Sequence, residues 1–279
     1  MAAFESVTRE FVTREYGLEK SLHNPILFIH GMGSAATAWK PLIRVLHSEY
    51  RCITVDLPGH GETPYLPNEA MDPYSLGAAI FSIMDRKQIE KFHIVSNSWG
   101  GWISLEMAAL EPKRIASVTA LAPAGLWLTP YTNRKPATAF SRTLAKLVNP
   151  IAPFAVHFER ARGWGFSDVS PRWRKLSHEI CLDATRAMAN SPGYFPAWDA
   201  MLKKRFNAHI PESVPVTIIF GDSDNTLPAD TCQERSIAPH HAKWLILPSG
   251  GHAPMWDHVD DVSTVIREDR KSTRLNSSH

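Results

Sequence analysis

Short apolar runs alternate along most of the chain with longer stretches whose apolar residues recur at helical spacing. This pattern predicts an α/β fold: a mostly parallel central sheet covered by helices. The strands are expected at Ile26 to His30, Cys52 to Asp56, Phe92 to Asn97, Ala116 to Ala122, Val216 to Gly221 and Trp244 to Leu247. Phe4 to Tyr16 alternates polar and apolar residues and reads as a leading antiparallel hairpin. Helical faces run through Trp39 to Leu46, Tyr74 to Asp85, Trp99 to Leu110 and Met255 to Ile266.

The alternation stops near Leu126 and resumes near Pro211. The stretch between them carries Trp127, Tyr131, Phe140, Phe154, Phe158, Trp164, Phe166 and Trp173, and is too long for a simple connection. Residues 127–210 are therefore expected to form an inserted, mainly helical cap, with Leu176 to Asn190 its clearest helix. Residues 1–126 and 211–268 form the expected core. Residues 269–279 read DRKSTRLNSSH, which matches one frame of a common sequencing-library adapter, so this segment is expected to be a non-native tail. A final helix cut short there is expected to expose Val262, Val265 and Ile266 and to favour association, which leaves a homo-oligomer open.

Composition narrows the partners. Thirty basic residues against 28 acidic ones leave a formal charge of +2, which gives no electrostatic reason to expect nucleic acid or an anionic membrane. A neutral or small-molecule substrate fits better. Cys52, Cys181 and Cys232 are odd in number and widely separated, which suits buried thiols rather than a disulfide framework or a zinc site. No stretch of about eighteen apolar residues occurs and the N-terminus lacks a secretory apolar core, so membrane insertion is not expected and a cytoplasmic location is.

Candidate chemistry centres on Ile94-Val95-Ser96-Asn97-Ser98-Trp99-Gly100-Gly101, where an apolar strand meets a helix across a turn of small residues. Such a turn reverses the chain sharply and lifts Ser98 out at the sheet edge. A helix-capping serine is the plain alternative. The stretch resembles the nucleophile elbow G-x-S-x-G of the α/β-hydrolase family, with Ser96 where the first glycine is expected. His30-Gly31-Met32-Gly33 follows a strand as that family's oxyanion loop does; no Lys-Ser/Thr follows Gly33, so a phosphate-binding P-loop does not fit. Asp56-Leu57-Pro58-Gly59-His60-Gly61 is similar to the family's D-x-P-G-x-G loop, and Asp56 and His60 read as structural. Phe220-Gly221-Asp222-Ser223-Asp224-Asn225-Thr226-Leu227-Pro228 is similar to its G-x-x-D-x-x-x-P, which places the acid at Asp224, with Asp222 the nearest competitor. Ser249-Gly250-Gly251-His252 is similar to its histidine loop.

The resemblance covers roughly residues 24–126 and 211–266 and implies Ser98 as nucleophile, His252 as general base and Asp224 as the carboxylate orienting it. It implies the backbone amides of Met32 and Trp99 as oxyanion donors. Serine at position 98, rather than the aspartate of dehalogenases and epoxide hydrolases, implies hydrolysis of a carboxylic ester through an acyl-enzyme. Carbon–carbon hydrolases of ring-cleavage products and lactonases use the same three residues and stay open, as does a non-catalytic small-molecule receptor. Trp256, shortly after His252, is similar to a tryptophan of the carbon–carbon hydrolases; Trp256 and Trp127 are expected to contact an apolar, partly aromatic substrate. Among cap arginines, Arg160, Arg162, Arg172 and Arg174 stand as candidates without an assigned role. No metal-ligand spacing such as H-E-x-x-H occurs, and neither metal nor cofactor is expected.

Overall fold

The computed structural model describes residues 10–17 and 23–276. Among these, seven strands form one sheet in the order β1-β3-β2-β4-β5-β6-β7. They are β1 (Thr13–Tyr16), β2 (Ile26–Ile29), β3 (Cys52–Val55), β4 (Phe92–Asn97), β5 (Ile115–Leu121), β6 (Val216–Gly221) and β7 (Lys243–Leu247). Every pairing is parallel except that of β1, which runs antiparallel along β3 at the sheet's edge. Thr13–Tyr16 pairs with Val55 to Cys52, so the second half of the expected hairpin segment is a strand of the main sheet. Phe4 to Arg9 lie outside the described residues.

The helices are α1 (Lys40–Leu46), α2 (Pro73–Arg86), α3 (Trp99–Leu110), α4 (Pro136–Val148), α5 (Ala152–Ala155), α6 (Glu159–Phe166), α7 (His178–Ala189), α8 (Tyr194–Met201), α9 (Ala229–Cys232), α10 (Pro254–Asp257) and α11 (Val259–Asn276). The central strands β2, β4, β5 and β6 are buried at every position, which is why they read as continuous apolar runs without alternation. One apolar cluster, with Ile80, Ile103, Trp102 and Phe92, packs α2 and α3 on one face. A second, with Phe28, Trp39, Leu42 and Val262, packs α1 and α11 on the other.

Local chemistry sets the helix ends. Asp72 accepts from the Ser75 amide at 3.1 Å with Pro73 as the first residue of α2, and Ser177 accepts from the Ile180 amide at 3.2 Å to start α7. Each such cap contributes about 1 kcal/mol. Val262, Val265 and Ile266 are buried, because α11 lies against α1 and covers them. Asp269 is buried too and accepts from Thr119 and Thr217 on β5 and β6, at 3.1 and 3.0 Å. Cys52, Cys181 and Cys232 are buried, and none of them forms a disulfide. Among the described residues no helix is long and apolar enough to cross a membrane.

Helices α4 to α8 all fall between β5 and β6, which are neighbours in the sheet. This segment has a small core of its own, with Val156, Phe166, Leu176 and Cys181. It meets the rest of the chain through Lys40, which bridges Glu179 at 3.0 Å and Asp183 at 2.6 Å on α7. It also meets it through the Gly193 amide, which donates to the Gly59 carbonyl at 3.0 Å.

Candidate active site

Ser98 stands between β4 and α3 at φ +54° and ψ −117°. A side chain is rarely found there, and only a tightly determined turn holds it. Its amide donates to the Leu121 carbonyl at 2.9 Å, and its carbonyl accepts from the Ala124 amide at 2.8 Å. Gly100 lets α3 approach β2 so closely that a Cβ would collide with the Ile29 and His30 carbonyls. Ser96 is fully buried and takes the place of a glycine without crowding, because its hydroxyl lies 2.8 Å from that of Ser104 on α3. Ser104 in turn donates to the Gly101 carbonyl at 2.7 Å.

Beside the turn runs the loop after β2. A Cβ on Gly31 would stand 3.0 Å from the Ser98 Cβ, a tighter contact than side chains ordinarily make, so glycine eases the close pass of the loop. Neither the Met32 nor the Trp99 amide meets a backbone or side-chain acceptor among the described residues, and Trp99 opens a twelve-residue helix. Two amides without a protein acceptor and a helix N-terminus thus belong to the segments that flank Ser98 in the chain and in space. His30 fixes the loop from behind: its Nδ1 donates to the Gly31 carbonyl at 2.7 Å and its Nε2 accepts from the Leu57 amide at 3.0 Å. Acceptance at Nε2 requires the neutral ring, and burial lowers its pKa accordingly. Asp56 collects the amides of Ala36 at 2.7 Å and Glu62 at 3.1 Å and the Arg14 guanidinium at 3.2 Å, so it ties three segments together. His60 donates to the Pro58 carbonyl at 3.0 Å and packs 5.5 Å from the Trp99 ring.

The third and fourth pieces follow β6 and β7. Asp224 is buried, its Oδ1 accepting from the amides of Thr226 and Leu227, both at 2.9 Å. Its Oδ2 accepts from His252 Nδ1 at 2.9 Å, which leaves Nε2 of that ring for a second partner. Asp222, the sequence competitor, is exposed and accepts from Ser223. Asn97 joins the two halves: its Nδ2 donates to the His252 carbonyl at 3.0 Å and to the Leu121 carbonyl at 3.1 Å, so the residue before Ser98 holds the histidine loop. From the other side the Val169 carbonyl accepts from the His252 amide at 2.8 Å.

With this geometry the chain matches the family described as alpha/beta hydrolase fold over residues 24–259. The chain belongs to the α/β-hydrolase family. One curated relative is the 3-oxoadipate enol-lactonase 1 of Acinetobacter baylyi, 27% identical over 220 residues, 77% of this chain and 76% of that protein. Another is the dihydrolipoyllysine-residue acetyltransferase component of the acetoin cleaving system of Pseudomonas putida, 36% identical over 102 residues. That match takes in 37% of this chain and spans about a quarter (27%) of that longer protein. Among solved structures, the meta-cleavage product hydrolase of Pseudomonas fluorescens superposes with a TM-score of 0.66 at 19% identity, covering 96% of this chain and 95% of that one. The α/β-hydrolase relatives of this chain include esterases, lactonases and carbon–carbon hydrolases.

The two tryptophans differ in setting within this α/β-hydrolase fold. Trp127 is buried, edge-on to Trp102 at 5.2 Å, with its Nε1 donated to the Lys204 carbonyl at 2.8 Å; these contacts account for it as core. Trp256 lies at the seam with the helical segment, donating to the Ala38 carbonyl at 3.2 Å and lining a crevice with Ser34, Thr37, Asp183 and Ala187. None of Ser98, Asp224 and His252 lines that crevice. The structuring roles of His30 and Asn97 were missed from sequence, although both sit inside the motifs quoted above. Their signal was adjacency to the expected nucleophile and loop.

Proposed function

We propose that the chain is a serine hydrolase acting on carboxylic esters through an acyl-enzyme, with Ser98 as nucleophile. The observation that carries this reading is the His252 ring, bonded at Nδ1 to a buried carboxylate and held by Asn97 next to a serine in a strained elbow. Ser98 Oγ attacks the ester carbonyl carbon while its proton passes to His252 Nε2. Negative charge grows on the carbonyl oxygen, where the Met32 and Trp99 amides are free to donate. The alcohol leaves with the proton from Nε2, and a water activated by the same nitrogen then hydrolyses the acyl-enzyme to the carboxylic acid. Asp224 keeps the Nδ1–H tautomer and stabilises the imidazolium. In this reading residues 127–210 act as a cap, since Val169 and Gly193 within it bond the histidine loop and the Gly59 turn. The substrate is a small molecule; Trp256, at the cap seam, is the better placed of the two tryptophans to meet it.

A lactone is the second reading, supported by the enol-lactonase relative that aligns over most of both chains. The same steps apply, with the leaving alcohol still tethered to the acyl group. The test is turnover of a p-nitrophenyl ester chain-length series and a set of lactones by wild type and Ser98→Ala, with fluorophosphonate labelling located by mass spectrometry. Turnover by wild type, label on Ser98 and near-complete loss in the alanine variant support the proposal. A folded wild type that neither labels nor turns over refutes it and favours the receptor reading.

A further inference from the structure

The helix α4 is inverted relative to an ordinary surface helix. Phe140 and Leu147, seven residues apart on one face, are 64% and 73% exposed, whereas Arg142 on the opposite face is 9% exposed. A guanidinium is stable in such a place when an anion meets it. Here Nη2 donates to the Ser191 carbonyl at 2.7 Å and the group lies 5.3 Å from the Phe195 ring centre, both uncharged partners. Nε is fully buried without an acceptor, and no carboxylate pairs with Arg142 among the described residues.

Its position points to the substrate. The neighbouring Tyr194, together with Met188, abuts Gly33 so closely that a Cβ there would stand 2.9 Å from the tyrosine ring and 2.7 Å from the methionine methyl. Gly33 directly follows Met32 in the loop beside Ser98. His60, whose ring packs on Trp99, is held neutral by burial first, then by His30, and also by the positive charge of Arg142. Arg142 therefore sits on the side of the site where the β2 loop, His60 and Trp99 meet.

We propose that Arg142 anchors a carboxylate of the substrate, at the end remote from the carbonyl attacked by Ser98. The inference rests on the hydrolase reading above and names its substrate class: esters or lactones of dicarboxylic acids. A carboxylate would accept from Nε and from one neighbouring Nη in a single bidentate contact.

The test compares mono-p-nitrophenyl esters of four- to eight-carbon dicarboxylic acids with p-nitrophenyl esters of monocarboxylic acids of matched length. At one length wild type should favour the acid-ended ester by about 10- to 100-fold in kcat/KM, carried mainly by KM. Free adipate should compete, and adipamide should not. In Arg142→Met the ratio should fall to near one, and Arg142→Lys should keep part of it. The wild-type ratio and the adipate competition need no variant, so they decide even if Arg142→Met fails to fold. Turnover and Ser98 labelling without preference at any length, or a preference that survives Arg142→Met, overturns the anchor and leaves the hydrolase reading standing. Absence of both turnover and label overturns the hydrolase reading instead. Calorimetric titration of adipate into wild type then decides the anchor separately: binding that is weakened in Arg142→Lys and lost in Arg142→Met supports it, and no binding to wild type, or binding unchanged in both variants, refutes it.

Discussion

Ser98→Gly should stabilise the protein while abolishing its activity. The elbow holds a serine at φ +54°, ψ −117°, a region open to glycine and costly to a residue with a Cβ by about 1–3 kcal/mol. The hydrogen bonds that hold the elbow run through the Ser98 backbone, from its amide to the Leu121 carbonyl and to its carbonyl from the Ala124 amide, and glycine keeps both. Against this, glycine gains freedom in the unfolded chain worth about 0.5–1 kcal/mol. The net is a gain of about 0.5–2 kcal/mol, or about 1–4 °C in Tm for a chain of this size. Ser98→Ala is the control, equally without nucleophile but retaining the Cβ and the strain. Calorimetric melting of both variants beside wild type is the assay. If Ser98→Gly melts no higher than Ser98→Ala, the elbow stores no strain and the account of its geometry is wrong.

Asp224→Asn should lower kcat by about 10⁴-fold, because the asparagine no longer holds the Nδ1–H tautomer, while Asp222→Asn should leave kcat near wild type; steady-state kinetics separate the two. Asn97→Ala should leave the carbonyls of Leu121 and His252 without their donor, costing about 1–3 kcal/mol in urea unfolding, and should lower kcat by about 10- to 100-fold as the histidine loop loosens. Ser96→Gly should cost about 1 kcal/mol for the lost contact to Ser104 and leave the enzyme active, a result that unfolding and ester turnover check together. His60 is pushed by burial from 6.5 to about 3, so between those values the unfolded chain binds a proton that the folded one does not, and stability falls as pH drops from about 6.5 toward 3. His60→Gln should reduce that slope by about 1.4 kcal/mol per pH unit in unfolding measured from pH 6.5 to 4, and an unchanged slope would show that His60 is protonated in the native state.

Much of the architecture was legible in the chain alone. Strands buried on both faces read as unbroken apolar runs, and β4 and β6 begin and end where the sequence predicts, at Phe92–Asn97 and Val216–Gly221. The α/β class and the family followed from those runs and from motifs at their ends, because a turn that must reverse sharply restricts its residues to small ones whatever surrounds it. Local spacing, however, carries no information about which distant segments meet. Only tertiary structure set His252 against Asp224, 28 positions earlier, and tied it through Asn97 to the elbow. It also buried Trp127 as core and left Trp256 at the seam, a difference invisible in two tryptophans of equal hydrophobicity. It set the β1 segment against β3, about forty positions further along the chain, a pairing that alternation alone does not specify. The inward Arg142 is the clearest case: α4 has an amphipathic pattern whose apolar face would be assigned to the interior, and packing against α7 put the arginine there instead.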